Sequence, residues 1–223
     1  MEVIFSRRFR GPLTSANGGY AAGRLAAYVD ADVVEVTLRL PPPLDRRLDV
    51  RRDVGSAILL DGDAVVAEAR AAELDIDPPV PVTRAAAEKA TARHVRIGNP
   101  VFGECFVCGV RPEDDGLGIY AGLVAGREPL HAAPWDATEP APEIAWAAID
   151  CPGAFAVGAE GRGGAVLGRM TTRILRVPAV GEACVVASWP LEEDGRKLVA
   201  GTALFAVDGE LLALARQTWI APR

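Results

Sequence analysis

LLDGDAVVAEARA (residues 59–71) and FAVDGELLALARQT (residues 205–218) are two versions of one pattern. Each reads as an apolar strand, an Asp-Gly turn and a second strand, with turn aligned on turn and, after a one-residue gap, Ala69-Arg70 on Ala215-Arg216. Asp-Gly between apolar alternations is a strong hairpin signal, because glycine accepts the positive φ that a tight turn requires. Upstream of each hairpin the echo continues. TLRLPPP (37–43) matches RILRVPA (173–179), an alternating strand stopped by proline. Farther upstream, SANGGYAAGRLAAYV (15–29) and APEIAWAAIDCPGAFAV (141–157) are each rich in alanine and other apolar residues and predict one helix per half. A repeat on this scale marks a duplicated unit.

Each half therefore reads as one apolar helix followed by antiparallel strands. The second half is expected to add a strand before its helix, around GLGIYAGLV (116–124). It also carries a longer hairpin, ACVVASW to RKLVAGTALF, where the first half has LDVRRDVGSAILL. Between the halves, DIDPPVPVTRAAAEKATARHV (75–95) reads as a proline-rich linker entering a short polar helix. The expected organisation is a first half over 1–75, a linker with its helix over 76–96 and a second half over 97–223. A ferredoxin-like pair would need two helices per half, and the pattern supplies one. The fold class predicted is α+β: a tandem arrangement in which one antiparallel sheet wraps two central helices.

Composition narrows the function. The 223 residues carry a net charge of −6 with arginines scattered among acids, which argues against a nucleic-acid partner. No apolar run approaches the ~18–20 residues of a membrane span, and MEVIFSRRFRGP lacks the apolar core of a signal peptide. A cytoplasmic, reduced chain with no membrane partner is the expectation. Cys105 and Cys108 are closely spaced, but no second Cys-x-x-Cys or adjacent histidine completes a zinc set. They are read as plain buried or loop thiols, with a redox pair as the alternative. No metal and no cofactor are expected.

Three stretches carry a resemblance to a known family. FRGPLTSANGGYAAGRLAA (9–27) resembles the opening of double-hotdog acyl-CoA thioesterases, where a short strand leads to Gly-Gly at the start of the first helix. CFVCGVRPEDDGLGI (105–119) is similar to the Cys-x-x-Cys-Gly…Gly-Leu entry of phenylacetyl-CoA-type hotdog proteins. DGELLALARQTWI (208–220) resembles the last hairpin of the thioesterase II type, glutamine included. The resemblance implies two antiparallel helices beneath one continuous sheet, with the thioester bound between the halves. An acyl-CoA or acyl-carrier-protein substrate is implied, and pairing of two copies as a homodimer is expected.

The candidate site follows from these motifs. Asn17-Gly18-Gly19 falls at the start of the first helix, where free N–H groups and the helix dipole favour a developing oxyanion. Many single-hotdog relatives have histidine before the Gly-Gly, and asparagine cannot act as a base. The plainer reading is that Ser15 or Asn17 caps the helix. Asp150 sits among apolar residues, costly for a carboxylate unless it is paired or functional. By resemblance it positions or activates the attacking water. Alternatively it caps a segment restarting at Pro152, since Pro152 is expected to kink or end the helix near Cys151. Gln217, the only glutamine in the chain, implies by the same resemblance a holder for that water. A hydroxyl is implied on the strand 164–177, yet Gly168 falls opposite it. Thr171 is the substitute taken here, with Thr172 its neighbour, and only one of two adjacent strand residues faces inward.

The predicted function is hydrolysis of an acyl-CoA or acyl-carrier thioester. The alternatives are an acyl-ligand-binding module without chemistry and, further off, a hotdog hydratase or dehydratase. His94 and His131 both lie outside any hydration motif. Cys151 as a thiol nucleophile and GRGGA (161–165) as a phosphate loop both lack partner residues and are read as structural.

Overall fold

A computed structural model describes residues 1–94, 101–112 and 115–222. In the first half, strand β1 (Glu2–Ile4) precedes helix α1 (Gly18–Ala26), followed by β2 (Val33–Leu38), β3 (Arg47–Asp53), β4 (Ser56–Asp61) and β5 (Ala64–Ala71). Helix α2 (Arg84–Thr91) follows, and then β6 (Gly122–Leu123) and β7 (His131–Asp136). Two short helices, α3 (Pro142–Ala148) and α4 (Cys151–Ala156), lead into β8 (Val166–Ile174), β9 (Ala183–Asp194), β10 (Lys197–Ala206) and β11 (Leu211–Ile220).

All eleven strands form one sheet in the order β1-β3-β4-β5-β2-β8-β11-β10-β9-β7-β6. Read outward from the β2–β8 seam, the halves match strand for strand: β2 with β8, β5 with β11, β4 with β10, β3 with β9, β1 with β7. The duplication seen in the hairpins thus extends to the whole architecture. The seam is antiparallel and runs from Val33 opposite Arg173 to Thr37 opposite Arg169. Gly62 and Gly209 take the positive φ that the two echoing turns demand, 60° and 93°. Both sheet edges are short strands, which limits the unpaired backbone offered to other chains.

The strand expected over 116–124 is a correction. Only Gly122–Leu123 pairs, with β7, and the strand equivalent to β1 is β7 itself. Pro134 within HAAPWD conceals β7 in the sequence, because proline gives no ladder N–H and reads as a breaker. Here it lies next to the sheet edge, opposite Val185 of β9.

One face of the sheet wraps α1, α3 and α4. Cys184, Val186 and Leu204 belong to that core, while Val185, Ala187, Ala203 and Phe205 pack on the other face with Ala87 and Ala90 of α2. The alternation follows from strand geometry. Glycine allows α1 and α3 to approach closely. A Cβ on Gly19 would lie 2.5 Å from Asp150 Cβ and 2.7 Å from the Trp146 carbonyl oxygen, and one on Gly23 would lie 2.7 Å from Glu143 Cα. Ascending residues of α1 meet descending residues of α3, so the helices are antiparallel. Gly19 and Gly23 stand one turn apart on a single face.

Candidate functional site

Asn17 is the N-cap of α1. Its Oδ1 accepts from the Tyr20 N–H at 2.8 Å, the usual role of asparagine at this position. That bond sets the orientation of the amide, so Nδ2 faces away from α1 and donates to Asp150 Oδ2 at 2.8 Å. The Gly19 N–H donates to the same oxygen at 2.9 Å. The cap and the oxyanion-site readings of Asn17 thus meet in one residue that reaches the other half.

Asp150 stands at a break between α3 and α4. Pro152 lacks the N–H needed to continue the hydrogen-bond ladder, so the helix stops and restarts. The break falls at Ile149–Asp150, just before Cys151, the residue singled out from sequence, and the Asp150 side chain makes no cap bond to α4. Instead it crosses to α1. Its Oδ1 is buried and has no hydrogen-bond partner. Burial pushes the Asp150 carboxyl up from 3.8 to about 7. The Gly19 N–H and the Asn17 amide pull the other way, and negative charge at Cys105 adds to the rise. A carboxylate held this way is ready to exchange a proton near neutral pH.

Gln217 is fully engaged by protein. Its Nε2 donates to the Ile149 carbonyl at 2.6 Å and to Thr202 Oγ1 at 3.3 Å, while its Oε1 accepts from Trp219 Nε1 at 2.9 Å. The Ile149 carbonyl is a group the helix break leaves without an intrahelical partner. Gln217 therefore braces the backbone immediately before Asp150. A Cβ on Gly153 would meet its Oε1 at 1.7 Å, so glycine there makes the space.

Thr171 is not brought to this group. It faces the opposite side of the sheet, where Oγ1 donates to Glu35 at 3.3 Å. Thr172 is the inward neighbour, buried with its hydroxyl unpaired. The threonine choice taken from sequence is corrected on this point: a bulge opposite Thr218/Trp219 absorbs Gly168 and sets which residues of β8 face in. The hydroxyl that reaches Gln217 is Thr202, from β10, which the sequence reading passed over. Trp219 stands two residues after Gln217 on the same strand.

A cleft of about 300 Å³ opens at this point. Leu38, Leu40, Phe155, Leu167, Trp219 and Ile220 give it an apolar wall, and Asn17, Gly18, Asp150, Cys105, Cys108 and Cys151 line its polar end. Gly18 occupies the first position of α1, where an N–H has no acceptor inside the helix. The cysteines also converge: Cys105 and Cys151 sulfurs are 3.6 Å apart. Donation from Cys108 and Cys151 holds the Cys105 thiol below its usual range and pushes its two neighbours up. No histidine is among the described residues lining the cleft.

Among solved structures, a candidate thioesterase II from Thermobifida fusca aligns with a TM-score of 0.66 at 14% identity, covering 100% of this chain and 92% of its own. An acyl-CoA thioesterase II from Mycobacterium marinum aligns with a TM-score of 0.58 at 10% identity, over 99% of this chain and 92% of its own. The dehydratase domain of a mycocerosic acid synthase-like polyketide synthase aligns with a TM-score of 0.63 at 13% identity, over 99% and 90%. No protein-family description and no curated protein matches the chain. At these identities the likeness shows the fold, and the fold is the double hotdog. This chain is a double-hotdog protein built like the thioesterase II structures, with a buried carboxylate bridging its two halves at the head of an apolar cleft.

Proposed function

We propose that the protein hydrolyses an acyl thioester, of coenzyme A or of an acyl carrier, bound in this cleft. The observation that carries the reading is Asp150, a residue that lines the cleft: one carboxylate oxygen is anchored by Gly19 and Asn17 across the helix pair, and the other is buried and unpaired. In the proposed step, Asp150 Oδ1 takes a proton from water as the water oxygen attacks the thioester carbonyl carbon. The oxyanion forms near the N-terminus of α1, where the Gly18 N–H and the helix dipole stabilise it. The C–S bond then breaks, the thiolate leaves with the proton held by Asp150, and a carboxylic acid remains.

The other residues take supporting roles. Asn17 holds Asp150 and is no base. Gln217 acts as a positioning residue through the Ile149 carbonyl. The apolar wall suits an acyl chain, in keeping with the acyl-CoA thioesterase that shares the fold. A dehydratase shares it too, but none of the described residues lining the cleft is a histidine that could pair with Asp150.

The test is thiol release from short, long and aromatic acyl-CoAs and from an acylated carrier protein, monitored with a thiol reagent that the buried cysteines do not reach. Turnover of at least one substrate is expected. Saturable acyl-CoA binding with no turnover across the panel would replace the reading with that of an acyl-ligand-binding protein.

A further inference from the structure

Cys105, Cys108 and Cys151 play no part in the proton transfer, yet their three sulfurs lie within 4.8 Å of one another. Two of them come from a loop entering the second half and the third from the first residue of α4, so the cluster exists only in the folded chain. We propose that these three thiols form a binding site for a soft divalent cation of the zinc class, on the wall of the cleft. All three cysteines line the cleft, which is where a fourth ligand would come from.

The geometry fits the ion. Four-coordinate zinc with Zn–S near 2.3 Å places sulfurs about 3.8 Å apart. The Cys105–Cys151 separation is already 3.6 Å, and the cluster limit of 4.8 Å exceeds the target by about 1 Å. Three thiolates on a dication leave one net negative charge, which needs donors around the sulfurs. These are present. The backbone amides of Val107 and Cys108 favour the thiolate form of Cys105, and Asn17 Nδ2 lies 3.9 Å from the sulfurs of both Cys105 and Cys151.

The loop is also held before any ion arrives. The Gly109 N–H donates to the Cys105 carbonyl at 2.8 Å, and the Phe106 N–H donates to the Arg10 carbonyl at 2.7 Å. A Cβ on Gly109 would lie 2.3 Å from the Cys105 nitrogen, so the tight return that brings Cys108 beside Cys105 admits only glycine. Cys184 is not part of the cluster, and its thiol donates to the Glu182 carbonyl. Each ligand binds as thiolate, so loading releases the thiol protons to solvent.

The experiment uses the full chain, reduced and stripped with a chelator, titrated anaerobically with Co²⁺ and then with Zn²⁺, with no substrate present. One equivalent of Co²⁺ is expected to give thiolate-to-cobalt charge-transfer bands with tetrahedral d–d bands, and Zn²⁺ should displace it. Cys151→Ser should weaken binding at least ~100-fold, beyond the ~10–100-fold cost of losing an outer partner. Cys184→Ser should bind as the wild type does. If Cys151→Ser fails to give the wild-type circular dichroism, half-buried Cys108 supplies the second variant, Cys108→Ser. Absence of thiolate bands with excess cobalt overturns the proposal, as does formation of a Cys105–Cys151 disulfide in place of metal binding. Bands that survive both substitutions overturn it equally. The readout involves no hydrolysis, so failure of the thioesterase reading leaves it intact.

Discussion

Replacing Asp150 with asparagine should stabilise the protein while disabling it. The carboxyl is buried, and its pKa moves from 3.8 to about 7 on folding. A raised folded value means that the unfolded chain gives up the proton first. The contribution of this carboxyl to stability is therefore full below 3.8, falls as pH rises from 3.8 to about 7, and levels off above. At 1.36 kcal/mol per pH unit, that interval amounts to about 4 kcal/mol. Asparagine keeps an acceptor for the Gly19 N–H and the Asn17 amide, but puts an NH2 where Oδ1 has no partner, costing about 1–3 kcal/mol. Asp150→Asn should thus be more stable than wild type at pH 8 by about 1–3 kcal/mol, with the advantage vanishing or reversing near pH 4. Urea unfolding followed by tryptophan fluorescence at pH 4, 6 and 8 measures this, with chelator present so that the cysteines hold no ion. Parallel stability–pH curves for the two proteins would refute the burial argument.

Gly19→Ala forces a Cβ to within 2.5 Å of Asp150 Cβ and 2.7 Å of the Trp146 carbonyl oxygen, so α1 must move off α3. A loss of about 1–3 kcal/mol or more, read as a lower melting temperature, should come with lost turnover. Gln217→Leu strands the buried Ile149 carbonyl and Trp219 indole N–H at about 1–3 kcal/mol each. It should lower kcat more than it raises KM, because Asp150 loses its brace; a variant with unchanged kcat would contradict that role. Thr171→Val removes one bond to Glu35 on the far face of the sheet and should leave stability within ~0.5 kcal/mol and thiol release unchanged.

The parts of the fold that local chemistry dictates were legible in the sequence. Asp61-Gly62 and Asp208-Gly209 announce their turns, and Asn17 announces a cap, because each acts over three or four residues. The break near Pro152 was legible for the same reason, within a residue or two. β7 was not, since Pro134 carries a breaker signal that only its place next to the sheet edge overrides. The inward threonine was ambiguous because strand alternation permits either phase, and a bulge at Gly168 chooses between them. Thr202 and the third thiol lay beyond reach for a different reason. Cys151 stands 46 residues from Cys105, and only the packing of α4 against the loop brings the sulfurs together. The Asn17–Asp150 bond spans 133 residues and both halves. Its two ends were each singled out, but the sequence held no sign that one would anchor the other.

The most direct test of the central claim is kcat for thiol release by wild type and Asp150→Asn on the best acyl thioester, with both proteins shown folded by circular dichroism. Loss of the base should lower kcat at least ~100-fold in a protein no less stable at pH 8. Equal turnover by the two would remove Asp150 from the chemistry and with it the proposed mechanism.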